Sequence, residues 1–270
     1  MILDFGRMIY MKILKDGELV DRGTFSEKVL HEGTSLYEVV RVFRGRVAFL
    51  EDHAERLRRS VGKCGWTVEV TTEGIREKLE RLIRAEGIAE GNIKLALHDA
   101  GRGVEEYVYQ IPHDYPREEE YREGVRAMTL EAVRERAEVK YMLPGLRELT
   151  DRLIRERGVK EVLLVDREGY ITEGSRSNVF FLLEGKLHTA PLPHVLPGTT
   201  RGRVLEMCKE MGIEVVERRV AREEVAGATG AFLTGTSPLV LPLRQIDETA
   251  LEVDDPLSRR VAERYLSLFK

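Results

Sequence analysis

A lysine among apolar neighbours, Lys140 in Ala137-Glu138-Val139-Lys140-Tyr141-Met142, has the makings of a covalent catalyst. Removing it from water disfavours the ammonium, lowers its pKa and frees the neutral amine for a Schiff base. Further on comes Tyr170-Ile171-Thr172-Glu173-Gly174-Ser175-Arg176-Ser177-Asn178. Glu173 ends a strand-like stretch, and the glycine and small polar residues after it let a flat heteroaromatic ring approach the backbone with its nitrogen against a fixed carboxylate. Val195-Leu196-Pro197-Gly198-Thr199-Thr200-Arg201-Gly202 sets Gly-Thr-Thr just ahead of a helix, where N–H groups, a hydroxyl and the helix dipole suit an anion. Leu233-Thr234-Gly235-Thr236-Ser237-Pro238 is a second loop suited to cradling a phosphate. In His53-Ala54-Glu55-Arg56-Leu57, Arg56 can grip a dianion bidentately. Each piece alone also fits a plainer role: a surface lysine, a solvated turn glutamate, a threonine N-cap, an arginine on a basic helix face beside Arg58 and Arg59.

Elements able to position these residues are legible around them. Met8 to Leu14 is strand-like and Asp16-Gly17 marks a tight turn. Leu36 to Phe43 alternates, turns at Arg44-Gly45, and Val47 to Leu50 continues it. Glu51 to Cys64 predicts a helix with Leu50, Ala54, Leu57 and Val61 on one face, and Thr72 opens another with Ile75, Leu79, Leu82 and Ile83. Strands follow at Ile93 to His98 and Tyr107 to Ile111. The polar, proline-containing stretch from Pro112 to Glu123 predicts a linker. Beyond it Val125 to Val133 predicts a strand, Leu146 to Arg157 a helix and Glu161 to Val165 a buried strand. Val179 to Leu183 and Lys186 to Thr189 form a hairpin around Glu184-Gly185. Arg201 to Met211 is a helix stopped by Gly212, Ala231 to Thr234 and Leu239 to Leu243 are short strands, and a last helix starts at Asp255. The expected organisation is α+β in two domains: a small N-terminal one over residues 1–116, a linker at 117–121 and a larger cofactor-binding one over 122–270.

Composition narrows the function classes. Apolar residues make up 42% of the 270 and charged ones 33%, a globular balance, and the net charge of −4 leaves no basic footprint for nucleic acid. No apolar run is long enough to span a bilayer, and the opening MILDFGRMIY does not have the make-up of a signal peptide. Cys64 and Cys208 are far apart without metal-ligand spacing, so reduced thiols, no metal and a cytoplasmic location are expected. Arginine exceeds lysine and Asn plus Gln number only four, which fits a thermophilic source and equally a coding bias.

The order of the pieces is more specific than any of them. Arg56, then Lys140, then Glu173-Gly174-Ser175, then Gly198-Thr199-Thr200-Arg201, then Gly235-Thr236-Ser237 resembles the class IV, or fold type IV, pyridoxal-phosphate enzymes. These include branched-chain aminotransferases, D-amino acid aminotransferases and aminodeoxychorismate lyases. The likeness takes in Gly33-Thr34-Ser35-Leu36-Tyr37-Glu38-Val39-Val40-Arg41 and runs from residue 20 to 247. It implies a small N-terminal α/β domain, a larger C-terminal pseudobarrel domain, a homodimer, and pyridoxal 5'-phosphate as cofactor. It further implies that Lys140 carries the cofactor as a Schiff base and shuttles the proton, and that Glu173 pairs with the pyridine nitrogen. Arg56, Thr200 and Thr236 would hold the phosphate with backbone N–H groups at Thr199, Leu196 would pack on the ring, and Tyr37 would line the substrate side. The loop from His31 to Gly33 would reach the neighbouring subunit's site. The match departs where the substrate carboxylate is caught. Ile93 to Ala100 lacks the arginines of the D-amino acid enzymes, and Lys94 stands where branched-chain enzymes have arginine. Gly145 replaces a tyrosine, and Ser237-Pro238 follows Gly235-Thr236. Strand alternation puts Lys94, Ala96 and His98 on one face, toward a cleft or toward solvent. Lys94, with His31 or Ser237, is therefore the candidate carboxylate anchor. Transamination between an amino acid and a 2-oxo acid is the expected activity, with a lyase on the same scaffold or a catalytically silent cofactor binder as alternatives.

Overall fold

The computed structural model describes residues 11–269, so the opening decapeptide, including the start of the strand expected from Met8, lies outside the described residues. The chain divides into two compact units, Met1–His113 and Asp114–Lys270.

In the first unit, β1 (Lys12–Lys15) and β2 (Glu18–Asp21) form a hairpin on the Asp16-Gly17 turn. They are followed by β3 (Thr34–Phe43), β4 (Arg46–Val47), α1 (Leu50–Lys63), α2 (Thr72–Glu86), β5 (Gly91–Asp99) and β6 (Val104–Ile111). The expected strand from Val47 to Leu50 is only two residues long, because Phe49 takes a left-handed conformation and Leu50 opens α1. The six strands are antiparallel in the order β2-β1-β6-β5-β3-β4. Alternation gives the sheet two different faces. Leu14, Leu36, Val40, Ile93, Leu95, Leu97 and Val108 share one face and are buried. The matching stripes are Leu50, Ala54, Leu57 and Val61 of α1 and Ile75, Leu79, Leu82 and Ile83 of α2, all buried. Registered across strands, Ser35, Tyr37, Lys94, Ala96, His98, Tyr107 and Tyr109 occupy the other face.

A fully buried charge sits on the apolar face. Glu38 is buried and accepts from Arg56 Nε (2.8 Å), Arg56 Nη2 (2.5 Å) and His53 Nδ1 (2.7 Å), all from α1. Burial raises the cost of the carboxylate, but the Arg56 charge, with its hydrogen bonds and those of His53, outweighs it and holds the Glu38 pKa at about 2.

The second unit contains α3 (Glu118–Glu123), β7 (Val125–Glu131), α4 (Pro144–Arg157), β8 (Glu161–Val165), β9 (Tyr170–Gly174), β10 (Asn178–Leu183), β11 (Lys186–Thr189), α5 (Thr199–Glu210), β12 (Val215–Glu217), β13 (Val220–Ala221), β14 (Gly230–Gly235), β15 (Leu239–Ile246), β16 (Thr249–Ala250) and α6 (Pro256–Leu266). Residues 117–121, expected as a linker, lie within this unit, and most of them belong to α3.

The sheet of this unit runs β12-β11-β10-β14-β15-β7-β8-β9-β13, with β16 beside β15. Only Ser175, Arg176 and Ser177 separate β9 from β10 in the chain, yet β8, β7, β15 and β14 stand between them in the sheet. Laid flat, five strand spacings would put β9 and β10 about 24 Å apart. The link from Gly174 to Asn178 spans at most about 14 Å. The sheet therefore curls until the two strands meet, and Gly174 N–H donates to Ser177 O at 2.8 Å. Alternate residues fill the concavity: Val125, Ala127, Leu163, Val165, Ile171, Val179, Phe181, Leu183, Ala231, Leu233, Leu241 and Leu243 form one buried cluster.

The Glu38 pair generates an acid-stability prediction. The folded-state pKa is depressed, from 4.5 to about 2, so its contribution is complete above about pH 4.5 and is lost as pH falls toward 2. A shift of that size is worth on the order of 3 kcal/mol. Urea unfolding of Glu38→Gln, followed by the fluorescence of the single tryptophan, Trp66 in this unit, should show a loss of that order at pH 7 and a flatter acid limb than wild type. An acid limb unchanged in the variant would remove Glu38 as its source.

Candidate active site

Glu173 is placed by an irregularity. β8 and β9 pair at Val165↔Ile171 and then at Leu163↔Gly174, so β9 carries one residue more than β8 across this interval. Such a bulge re-aims a side chain, and Glu173 lies inside it. The carboxylate is 2% exposed, and its Oε1 accepts from Arg134 Nε at 2.7 Å while Oε2 accepts the Leu196 N–H at 3.0 Å. Burial pushes the Glu173 carboxyl above the usual carboxylate range; the Arg134 guanidinium, the Leu196 N–H and the Lys140 charge pull the other way without cancelling it. A carboxylate left in that balance gains from one more cationic N–H.

Lys140 is half-buried in the segment between β7 and α4, next to buried Val139. Arg134 belongs to the same segment and also donates Nη2 to Ser175 O at 3.1 Å, so the stretch that carries the lysine is tied to the turn after Glu173.

The loop ahead of α5 is held from both sides. Leu196 gives its N–H to Glu173 and its carbonyl accepts Asn178 Nδ2 at 3.0 Å. Gly198 lies so close to Asn178 that a Cβ there would meet Oδ1 at 2.0 Å, so only glycine fits. Gly198 is the N-cap of α5 and offers no side chain to the N–H groups of Thr199, Thr200 and Arg201. Asn178 pairs in register with Thr234, which puts both side chains on one face of the sheet. Thr234 Oγ1 is buried there with no hydrogen-bond partner among the described residues. Thr236 and Ser237 turn the adjacent β14–β15 hairpin, which Tyr121 O–H pins through Pro238 O at 3.0 Å. An uncapped helix start and an orphaned hydroxyl on one face are a donor set for a phosphate.

The structure thus gathers Glu173, Leu196, Thr199 and Thr200 around one turn, loop and helix start, with the Lys140 charge acting on Glu173. Arg56, Tyr37, Lys94 and His31 belong to the first unit. Arg56 is spent on Glu38 on the helix-covered face of the sheet, whereas Tyr37 and Lys94 occupy the other face. Lys94 is ion-paired with Glu27 and lies 5.5 Å from the Tyr37 ring centroid and 5.7 Å from that of Tyr109. His98 shares that face; Ser35 donates its only hydroxyl proton to Leu30 O (2.7 Å), so His98 Nδ1–H donates to Ser35 Oγ at 2.9 Å. His31 ends a short 3-10 turn, Glu27–His31, and is exposed.

Sequence reasoning missed Arg134, Asn178 and Thr234. Arg134 hides in Arg134-Glu135-Arg136, which looks like solvated charge, and only the fold brings it to Glu173. Asn178 was inside the motif already singled out, and its side-chain amide next to a strand start was the available signal. The small residues after Glu173 have a further use: a Cβ on Gly174 would meet Ser177 Oγ at 2.3 Å and the Glu161 carboxylate at 2.9 Å.

Comparison with known proteins gives the family and the fold. A D-alanine aminotransferase from Bacillus licheniformis is 28% identical over 253 residues, covering 88% of this chain and 89% of the relative. A branched-chain aminotransferase from Thermoproteus uzoniensis, solved with norvaline, superposes with a TM-score of 0.83 at 28% identity over 96% of this chain and 94% of that one. A T.th. branched-chain amino acid aminotransferase, solved with pyridoxamine 5'-phosphate, superposes with a TM-score of 0.84 at 26% identity over 96% and 93%. The family described as Amino-transferase class IV matches residues 35–246, most of the chain, and with the curled sheet of fold type IV in place the chain belongs to the class IV aminotransferases, enzymes that use pyridoxal 5'-phosphate.

Proposed function

We propose that this enzyme transfers the amino group of a small or branched aliphatic amino acid to a 2-oxo acid, with Lys140 as the covalent and proton-transferring residue and Glu173 as the partner of the cofactor's ring nitrogen. The single observation that carries the residue assignment is Glu173: a buried carboxylate with a raised pKa, one cation and one N–H already on it, and the Lys140 charge acting on it. When bound, the cofactor supplies an electron sink for the substrate's α-carbon. Lys140 Nζ would hold the cofactor and would carry the proton at the substrate's α-carbon. Glu173, hydrogen-bonded to Arg134, would hold the proton at the ring nitrogen. Thr199 and Thr200 N–H groups and the Thr200, Thr234 and Thr236 hydroxyls receive the phosphate, with Leu196 against the ring. Arg56, its fork oriented by Glu38, is a further proposed phosphate contact, and Tyr37, Lys94, His31 and Ser237 are the proposed substrate-side residues. A cytoplasmic homodimer is part of this reading; both cysteines are free, and no described helix is long and apolar enough to cross a membrane.

The direct experiment is a donor screen across L- and D-amino acids, including branched-chain residues and alanine, scored by bleaching of the yellow enzyme. Transamination leaves it colourless until a 2-oxo acid is added; a return to yellow without oxo acid would overturn the reading in favour of elimination. Borohydride treatment of the yellow form should leave a pyridoxyl group on the peptide containing Lys140, and a label on Lys160 or Lys94 instead would sink the Lys140 assignment.

Lys94 yields a further expectation. A lysine orients a carboxylate less firmly than a bidentate arginine, and Glu27 already occupies it, so an incoming carboxylate must compete. Lys94→Met should raise KM for amino acids about ten-fold while leaving cofactor affinity unchanged, and Glu27→Gln should lower KM. Half-reaction bleaching at rising donor concentration measures both; identical saturation in all three proteins would return Lys94 to a structural role.

A further inference from the structure

Behind the turn that carries Glu173 sits a second buried glutamate that the activity does not account for. Glu161, the first residue of β8, is 4% exposed, and no ion pair to it is found among the described residues. Four neutral donors hold it instead. Its Oε1 accepts the Val162 N–H (2.8 Å), the Ser175 N–H (3.1 Å) and the Ser175 hydroxyl (2.7 Å), and its Oε2 accepts the Ser177 hydroxyl (2.7 Å). Burying a carboxylate without a cation is costly, so a site that does it must saturate the charge with hydrogen bonds. Three of the four come from Ser175 and Ser177, the ends of the three-residue link that closes the curled sheet. Gly174 completes the fit, since any Cβ there would collide with the Glu161 carboxylate and the Ser177 hydroxyl.

Ser175 is also where Arg134 is anchored, through its carbonyl, while the same guanidinium grips Glu173. Moving Ser175 therefore moves both the bulge that aims Glu173 and the cation bound to its carboxylate. We infer that Glu161 is a positioning residue: by clamping Ser175 and Ser177 it fixes the aim of the Glu173 carboxylate at the cofactor's ring nitrogen. The inference rests on the reading that Glu173 pairs with that nitrogen.

The test compares equilibrium affinity of the apoenzyme for pyridoxal 5'-phosphate and for the analogue whose ring nitrogen is replaced by CH. Both carry the same phosphate and aldehyde, so their affinity ratio isolates the Glu173 contact. In wild type the natural cofactor should bind about ten- to a hundred-fold more tightly, the range of one charge-assisted hydrogen bond. Glu161→Ala should collapse that ratio toward about one while leaving affinity for the analogue within about three-fold of wild type. Glu161→Gln should restore most of it, because the carboxamide oxygen can serve the three donors at Oε1 and the Ser177 hydroxyl can rotate to accept from the NH₂. If Glu161→Ala does not fold, Ser177→Ala, which leaves no backbone N–H unpaired, decides the matter with an expected several-fold fall in the ratio. Equal loss for both ligands, or a ratio unchanged in every variant, would make Glu161 a structural residue only and overturn the inference. A wild type that does not distinguish the two ligands would instead overturn the Glu173 assignment, and the inference with it.

Discussion

Three residues have to join β9 to β10 across a sheet that places four strands between them, and much of the second unit follows from that constraint. The sheet curls because the link is short, and the curl creates the concavity that the aliphatic cluster fills. The link then sits at the end of that core, where Glu161 accepts from the Ser175 and Ser177 hydroxyls and Arg134 donates to the Ser175 carbonyl. The bulge that aims Glu173 immediately precedes this turn, so the carboxylate sits beside a stretch held by Glu161 and Arg134. Preorganised groups of this kind need no rearrangement when charge develops beside them.

The three buried glutamates show how differently one side chain can be used. Glu38 meets Arg56 and His53, its charge is overcompensated and its pKa falls to about 2, which suits a group that locks a helix to a sheet. Glu161 meets only neutral donors and serves the backbone. Glu173 meets one guanidinium and one N–H, too little to offset its burial, and its pKa stays raised. Of the three, Glu173 is the one whose pKa burial raises, which fits its proposed role as the carboxylate that meets the cofactor.

Local periodicity made the helices α1, α2 and α5 and the long strands legible, because their apolar stripes are the faces they bury. The family was legible through the order of its motifs along the chain. What the sequence did not disclose depends on long-range pairing. Arg134 looks like one charge in a charged run until β9 is placed beside β8, and Glu161 looks like the exposed start of a strand until Ser175 and Ser177 turn back onto it. The segment read as a linker carries α3 because Glu120 accepts the Arg117 N–H at its start, a hydrogen bond too local to leave an apolar period. Lys94 and His98 were correctly put on one face, but alternation cannot say that Glu27 and Ser35 would engage them.

Arg134 and Lys140 are six residues apart on one irregular segment, and that proximity links the two chemical ends of the proposed site. The segment leaves β7, which is held in register by β8 and β15, and it must reach α4 without regular backbone pairing of its own. A lysine on such a stretch would wander, and a wandering amine cannot meet the same carbon at each turnover. The Arg134 fork removes that freedom by binding Glu173 and the Ser175 carbonyl together, planar donors to two acceptors that are themselves fixed by the bulge and by Glu161. The segment of the proposed nucleophile is therefore referenced to the same turn that aims its proposed ring partner. The distance between amine and carboxylate is then set by side-chain contacts across the fold, and chain connectivity between them contributes little.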